Sequence, residues 1–158
     1  MERRGFVSAA GTLGALLFGS ETASATREQR GTQPQDARPS PPAKTVLHLS
    51  SGETAAYKGA LMNAQNLLAD ETVPVTELVF LSNGPGVKLY TPPGRENDFA
   101  DRINSLQERG VSFRVCQNSM AMLDLTEDQL IDGVEPVPSA VGEFARLQEV
   151  GYGYIKVP

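Results

Sequence analysis

Short apolar runs alternate along the chain with segments whose apolar residues recur at helical spacing. The runs predict five strands, at residues 46–49, 77–81, 111–115, 134–137 and 152–157. The helical spacing and the capping signals predict helices at residues 55–69 and 98–109, from 126 to a stop at Gly133, and from a cap at Ser139 to a stop at Gly151. Asn97 is the predicted cap of the second helix, and Val141, Phe144 and Leu147 are the predicted core residues of the last.

Strands that alternate with helices in this way predict a three-layer α/β/α sandwich around a mainly parallel, about five-stranded sheet. The carboxyl ends of parallel strands meet at one edge of such a sheet, and ligands bind there. Ser51, Asn83, Gly84 and Cys116 all lie where a predicted strand ends. We therefore expect them to share one edge, with a pocket between them.

The first 43 residues differ in composition from the rest of the chain. Residues 1–25 combine paired arginines, a short apolar run and a small-residue end at Ala25, which is typical of a cleaved twin-arginine signal peptide. Residues 26–43 are rich in proline and polar residues, which predicts a flexible linker. One globular domain at residues 44–158 and a periplasmic or otherwise extracytoplasmic location follow. The apolar run is too short for a stable membrane span.

Composition narrows the chemistry of that domain. Its nine Lys and Arg face fifteen Asp and Glu, and it has no basic run, so a nucleic-acid partner is not expected. One histidine and one cysteine cannot form a compact zinc site, so we expect no metal. We expect no cofactor: the Gly84-Pro85-Gly86 turn has Leu89 where the dinucleotide motif requires a third glycine.

Cys116 is the only cysteine, and it stands where a strand passes into a helix. Free amides at the start of a helix favour a thiolate, and a thiolate can attack a sulfane sulfur, hold it as a persulfide and pass it on. Asn118 and Ser119, in the first turn of that helix, are candidates to bind the sulfur, although ordinary capping explains them equally. A cysteine can also simply be packed in the core.

His48 and the paired tyrosines have a simpler interpretation. His48 lies within the first strand among apolar neighbours, which is typical of a hydrogen-bonded core or near-core histidine. It is also the only histidine that could pair with Cys116. Tyr152 and Tyr154 alternate along the last strand and share one of its faces, where packing accounts for them.

At these residues the sequence resembles the DsrE/DsrF-like family, which includes sulfur-relay subunits and the YchN-like proteins. The resemblance extends from Val46 to Lys156 and is carried by the segments at residues 46–52, 63–67, 78–88, 110–120, 137–139 and 151–156. It implies a flavodoxin-like α/β sandwich that assembles into trimers or hexamers. It also implies that Cys116 matches the cysteine that carries sulfur in relay members.

The sequence leaves three functional hypotheses. In the first, an exported sulfur carrier, not necessarily a turnover enzyme, uses Cys116 for persulfide or thiol exchange with a donor or acceptor protein. Its binding residues would be Asn118, Ser119, Asn83, Gly84 and Ser51. In the second, the domain binds a small ligand or a protein and the cysteine is structural. In the third, Cys116 senses redox state through an intermolecular disulfide.

Overall fold

The computed structural model describes residues 41–91 and 99–158. The predicted signal peptide, the linker up to residue 40, and the predicted cap at Asn97 lie outside the described residues. Within them, five strands form one sheet in which every neighbouring pair is parallel. The strands are β1 (Ala43–Leu49), β2 (Val75–Ser82), β3 (Val111–Cys116), β4 (Val134–Val137) and β5 (Gly153–Lys156), in the spatial order β4-β3-β2-β1-β5.

In the described parts of the chain, four α-helices connect these strands. They are α1 (Thr54–Ala69), α2 (Ala100–Glu108), α3 (Gln117–Met122) and α4 (Ala140–Glu149). Two 3-10 helices add to them, at Gly84–Tyr90 and Glu127–Gln129. The predicted fold class is confirmed, and each predicted strand is present.

The two faces of the sheet carry separate apolar cores, because side chains alternate between faces along each strand. On one face, Leu47, Phe80 and Phe113 pack with residues of α1, α2 and α3. On the other face, Val46, Leu81 and Cys116 pack with Ala140 and Leu147 of α4. The result is a three-layer α/β/α sandwich in which α4 supplies the helical layer of the second face.

Four details of the structure differ from the sequence-based prediction. Val141 is 73% exposed, because Ala140, Phe144 and Leu147 form the core stripe of α4 at spacings of four and three residues. The Gly84-Pro85-Gly86 segment, predicted as a turn, is the start of a 3-10 helix, Gly84–Tyr90, with four buried residues. The capping box at Thr126 is present, but it opens a single 3-10 turn instead of a helix that continues to Gly133. β1 also begins at Ala43, one residue inside the predicted linker.

An ion-pair cluster attaches the first turn of α4 to the sheet. Glu143 of α4 binds Arg114 of β3 and accepts two hydrogen bonds from Arg146, at 2.9 and 2.5 Å. Arg114 also binds Glu135 of β4 at 3.2 Å. The Glu143 side chain is only 10% exposed, so this is a largely desolvated ion pair rather than a surface one.

The 3-10 helix after β2 approaches β1 so closely that one position requires glycine. A Cβ on Gly86 would lie 2.8 Å from the carbonyl oxygen of Leu49. We expect Gly86→Ala to lower the free energy of unfolding by about 1–3 kcal/mol, because the backbone must shift to relieve the clash. Gly142→Ala is the control: its Cβ would meet only the Ser139 Cβ at 3.8 Å, and alanine should add about 0.5–1 kcal/mol there. Urea unfolding would measure both; equal effects of the two variants would contradict the prediction.

The Glu143 cluster predicts an acid-sensitive contribution to stability. Hydrogen bonds from Arg146 and the charge of Arg114 hold the pKa of Glu143 below its usual value, although burial opposes them. A lowered carboxyl pKa stabilises the fold fully above the unfolded value of about 4.3, and this stabilisation is lost as pH falls through the folded pKa. We expect urea unfolding of Glu143→Gln between neutral and acidic pH to show a shallower loss of stability than wild type. Parallel curves would exclude a stabilising ion pair.

Candidate functional site

Cys116 lies where neighbouring strands send their chains to opposite faces of the sheet. It is the last residue of β3 and pairs in register with Val137, the last residue of β4. The chain leaves β3 into α3, which contributes Met120 to the first core, and leaves β4 into α4, which contributes Ala140 to the second. A crevice at such a topological switch point is where open α/β sheets bind their ligands.

Hydrogen-bond donors from both helices surround the Cys116 sulfur. The amide of Ala140, the first residue of α4, donates to Sγ over 3.3 Å. Burial raises the pKa of the Cys116 thiol, but hydrogen bonds from the Ser119 hydroxyl and from the amides of Ala140, Ser119 and Asn118 outweigh it. The net pKa shift is downward, which increases the share of nucleophilic thiolate at neutral pH.

Ser119 connects the sulfur to the loop after β2. It is buried, and its Oγ accepts a hydrogen bond from the Gly84 amide at 2.8 Å, which leaves its own hydrogen for the sulfur. Gly84 has a φ of +51°, a left-handed conformation that glycine adopts without strain. Gly84 and Ser119, both predicted for the site, are therefore in direct contact.

Asn83 extends this network to the first strand. Its Oδ1 lies 2.8 Å from His48 Nε2, while His48 Nδ1 lies 2.6 Å from the hydroxyl of Tyr154. With Asn83 as the acceptor, the neutral ring carries its hydrogen on Nε2 and accepts from the tyrosine at Nδ1. Burial lowers the pKa of His48, the Asn83 hydrogen bond opposes the shift, and the charge of Lys156 adds to it. His48 is thus hydrogen-bonded, as the sequence predicted for a core or near-core histidine, and the structure shows it half-buried.

The side chains of two predicted site residues, Asn118 and Ser51, do not bind the Cys116 sulfur. Asn118 offers its amide to the sulfur, and its residue is exposed. The Oγ of Ser51 accepts from the Glu53 amide at 3.2 Å, which closes the turn before α1. Ser51 lies at the predicted edge of the sheet, but the contacts around the sulfur do not include it.

Sequence reasoning missed the Ala140 amide. A backbone N–H carries no residue signature, and Ala140 approaches Cys116 only because β4 lies beside β3. The available signal was Ser139, whose Oγ accepts from the Gly142 amide at 3.4 Å and so marks the start of α4. A helix start next to the end of β3 implies a free amide there.

The sulfur site is largely covered in the single chain. Cys116 is only 5% exposed to solvent, so a reagent must be small to reach Sγ. Beside the site, on α3 and the loop that follows it, lies a groove of about 310 Å³. It is lined by Gln117, Met120, Ala121, Leu125, Thr126 and Glu127. Residues 41–91 and 99–158 contain no cluster of three His, Cys, Asp or Glu side chains placed to hold a metal ion.

Comparison with protein families gives one match over nearly the whole domain. The model of the DsrE/DsrF-like family matches residues 44–157. No curated protein matches the chain.

Two solved structures resemble the chain in fold. The protein of unknown function MTH1491 from Methanobacterium thermoautotrophicum is 26% identical, with a TM-score of 0.64; the match covers 72% of this chain and 98% of that one. The ychN protein from E. coli is 18% identical, with a TM-score of 0.58 and the same two coverages, and this likeness shows the fold.

The hydrogen bond from the Ser119 hydroxyl should have a measurable effect on the pKa of the Cys116 thiol. We expect Ser119→Ala to raise the pKa of Cys116, because the thiolate loses a hydrogen-bond donor. Ser51→Ala is the matched control. It also removes a serine hydroxyl at this edge of the sheet, but that hydroxyl accepts from the Glu53 amide in the turn before α1 and does not contact the sulfur. The ultraviolet absorbance of the thiolate, followed against pH and corrected with Cys116→Ser, would measure both. Equal pKa values in the two variants would remove Ser119 from the site.

Proposed function

Because the chain belongs to the DsrE/DsrF-like family, a family of sulfur-relay proteins, we propose that it is a sulfur carrier in which Cys116 holds the transferred sulfur as a persulfide. One observation carries this proposal. The sulfur accepts hydrogen bonds from the start of α4 and from the first turn of α3, and these lower its pKa despite burial. A cysteine that served only as core packing would have no need of such donors.

The proposed reaction consists of two exchanges at sulfur. The Cys116 thiolate attacks the outer sulfur of a sulfane donor such as thiosulfate; a new S–S bond forms, and sulfite leaves with the electron pair of the broken bond. The terminal sulfur of the persulfide is then attacked by an acceptor thiolate, and the Cys116 thiolate is released. Atoms and charge balance in both steps, and no oxidant is needed. The protein acts as a carrier between two partners rather than as an enzyme with its own substrate.

Each neighbouring residue has a role in this proposal. The amides of Ala140 and Asn118 and both donors of Ser119 stabilise negative charge on the attacking or leaving sulfur. Gly84 orients the Ser119 hydroxyl by binding its oxygen, and Asn83 continues that contact to His48. Ser51 shapes the turn at the same edge.

Burial of the sulfur limits the reaction partners. With 5% of Cys116 exposed, two such sulfur atoms cannot approach to the bond length of about 2.05 Å that a disulfide requires without local opening. This argues against redox sensing through an intermolecular disulfide. A small anionic donor that delivers one atom fits the site better than a second folded protein does.

The setting of the carrier is also part of the proposal. The signal-like residues 1–25 support export to the periplasm or another extracytoplasmic compartment, and the family supports assembly into a homo-oligomer. Among residues 41–91 and 99–158, no helix combines the length and apolar character needed to cross a membrane.

A second candidate function rests on the groove beside α3. Its volume of about 310 Å³ lies at the lower end of the range of about 300–1,000 Å³ typical of small-molecule pockets, and its lining mixes apolar Met120 and Leu125 with polar Gln117 and Thr126. In this alternative the domain binds a small ligand at the groove, and Cys116 is a packed residue. A sulfur that takes up no sulfane atom would favour it.

The direct test is sulfur uptake. We expect the purified protein, incubated with thiosulfate or polysulfide, to gain the mass of one sulfur atom, located on Cys116 by peptide mass spectrometry. Uptake should rise with pH through the thiol pKa, because the thiolate is the nucleophile. Dithiothreitol should remove the added atom.

Cys116→Ser is the control and should gain no sulfur. The proposal would be contradicted if wild-type protein gained none under conditions in which a small alkylating reagent modifies Cys116. That second reaction is required because it separates an inaccessible thiol from an unreactive one.

A further inference from the structure

The strand β3 and the helix α4 are joined at two places only a few residues apart. Cys116 of β3 accepts the Ala140 amide through its sulfur, and Arg114 of β3 binds the Glu143 carboxylate. The two contacts are separated by two residues on the strand and three on the helix. They form a closed ring, so the position of one contact constrains the other.

Glu143 is well suited to hold the first turn of the helix in place. Its amide donates to the Ser139 carbonyl at 2.9 Å, which is the first hydrogen bond of α4. Its carboxylate is largely buried and is bound by Arg114 from the strand and by Arg146 from the next turn. The backbone start of α4 and the side-chain anchor to β3 therefore belong to the same residue.

The Ala140 amide depends on this anchor more than the other donors do. Asn118 and Ser119 lie only two and three residues after Cys116 in the chain, so the covalent connection keeps their amides near the sulfur. Ala140 is 24 residues away and meets the sulfur only through tertiary packing. The Ser139 hydroxyl is occupied by the Gly142 amide, so the helix cap does not compete for the Ala140 amide.

We propose that Glu143, bound by Arg114, is a positioning residue that fixes the first turn of α4 against β3 and thereby keeps the Ala140 amide on the Cys116 sulfur. This deepens the proposed function and rests on it for its biological meaning. Its test does not, because the readout is the ionisation of Cys116 and requires no sulfur donor.

The charges around Glu143 come from every element packed near it. Arg114 of β3 and Arg146 of α4 bind it directly, Glu135 of β4 shares Arg114, and Tyr152 before β5 interacts with both arginines. Tyr152 in turn donates a hydrogen bond to Glu77 of β2. Glu77 also forms an ion pair with Lys44 of β1 at 2.6 Å. The cluster is balanced, so a change at Glu143 must be compared with the same change at another member.

Glu143→Gln and Glu135→Gln form a matched pair of variants. Each removes one negative charge from the same arginine, but only Glu143 belongs to α4. Loss of a nearby negative charge by itself favours the thiolate and lowers the thiol pKa. Loss of the Ala140 hydrogen bond destabilises the thiolate and therefore raises the thiol pKa. We therefore expect Glu143→Gln to raise the pKa of Cys116 and to slow its alkylation at neutral pH by about threefold, within the net range for one ordinary hydrogen bond.

In Glu135→Gln, the thiol pKa should be unchanged or lower than in wild type. The thiolate absorbance against pH would measure both variants, with circular dichroism to establish that each is folded. If Glu143→Gln does not fold, Arg114→Lys provides the same test, because lysine keeps the charge but cannot bind Glu135 and Glu143 in a planar fork. A thiol pKa that moves down or stays constant in the folded variant overturns the positioning role. Failure of sulfur uptake by wild-type protein would instead overturn the proposed function and leave this result standing.

Discussion

The hydrogen bond from the Ala140 amide to the Cys116 sulfur depends on the whole topology of the sheet. It exists because β4 lies beside β3 while their chains leave to opposite faces, so that the start of α4 faces the end of β3. No local sequence pattern could create this contact. It places a helix start, with its unpaired amides, against the sulfur atom of the only cysteine in the sequence.

Around that contact, the site uses backbone donors more than side chains. The amides of Ala140, Asn118 and Ser119 act on the sulfur, and the amide of Gly84 holds the one hydroxyl that joins them. Backbone donors are fixed by the fold and need no further ordering when charge develops on sulfur, which is the condition for electrostatic stabilisation of a reaction. The site therefore combines a buried thiol with hydrogen-bond donors that the fold holds in place.

The sequence predicted the parts of this arrangement that are local. The five strands follow from short apolar runs, and the positions of Cys116 and Ser119 follow from the junction of a strand with a helix. The contact of Arg114 with Glu143, 29 residues apart, is tertiary and has no local signature. The exposure of Val141 was missed because a helical pattern can be phased one residue away when its true core residue is an alanine.

The pKa of Cys116 in the wild-type protein tests the central claim most directly. It can be determined from the absorbance of the thiolate against pH, with Cys116→Ser as the baseline. If the donors outweigh burial, the pKa of Cys116 lies below the ordinary value of a free cysteine thiol. Ionisation at or above that value would mean that burial dominates, and Cys116 would then be a packed residue of the second core.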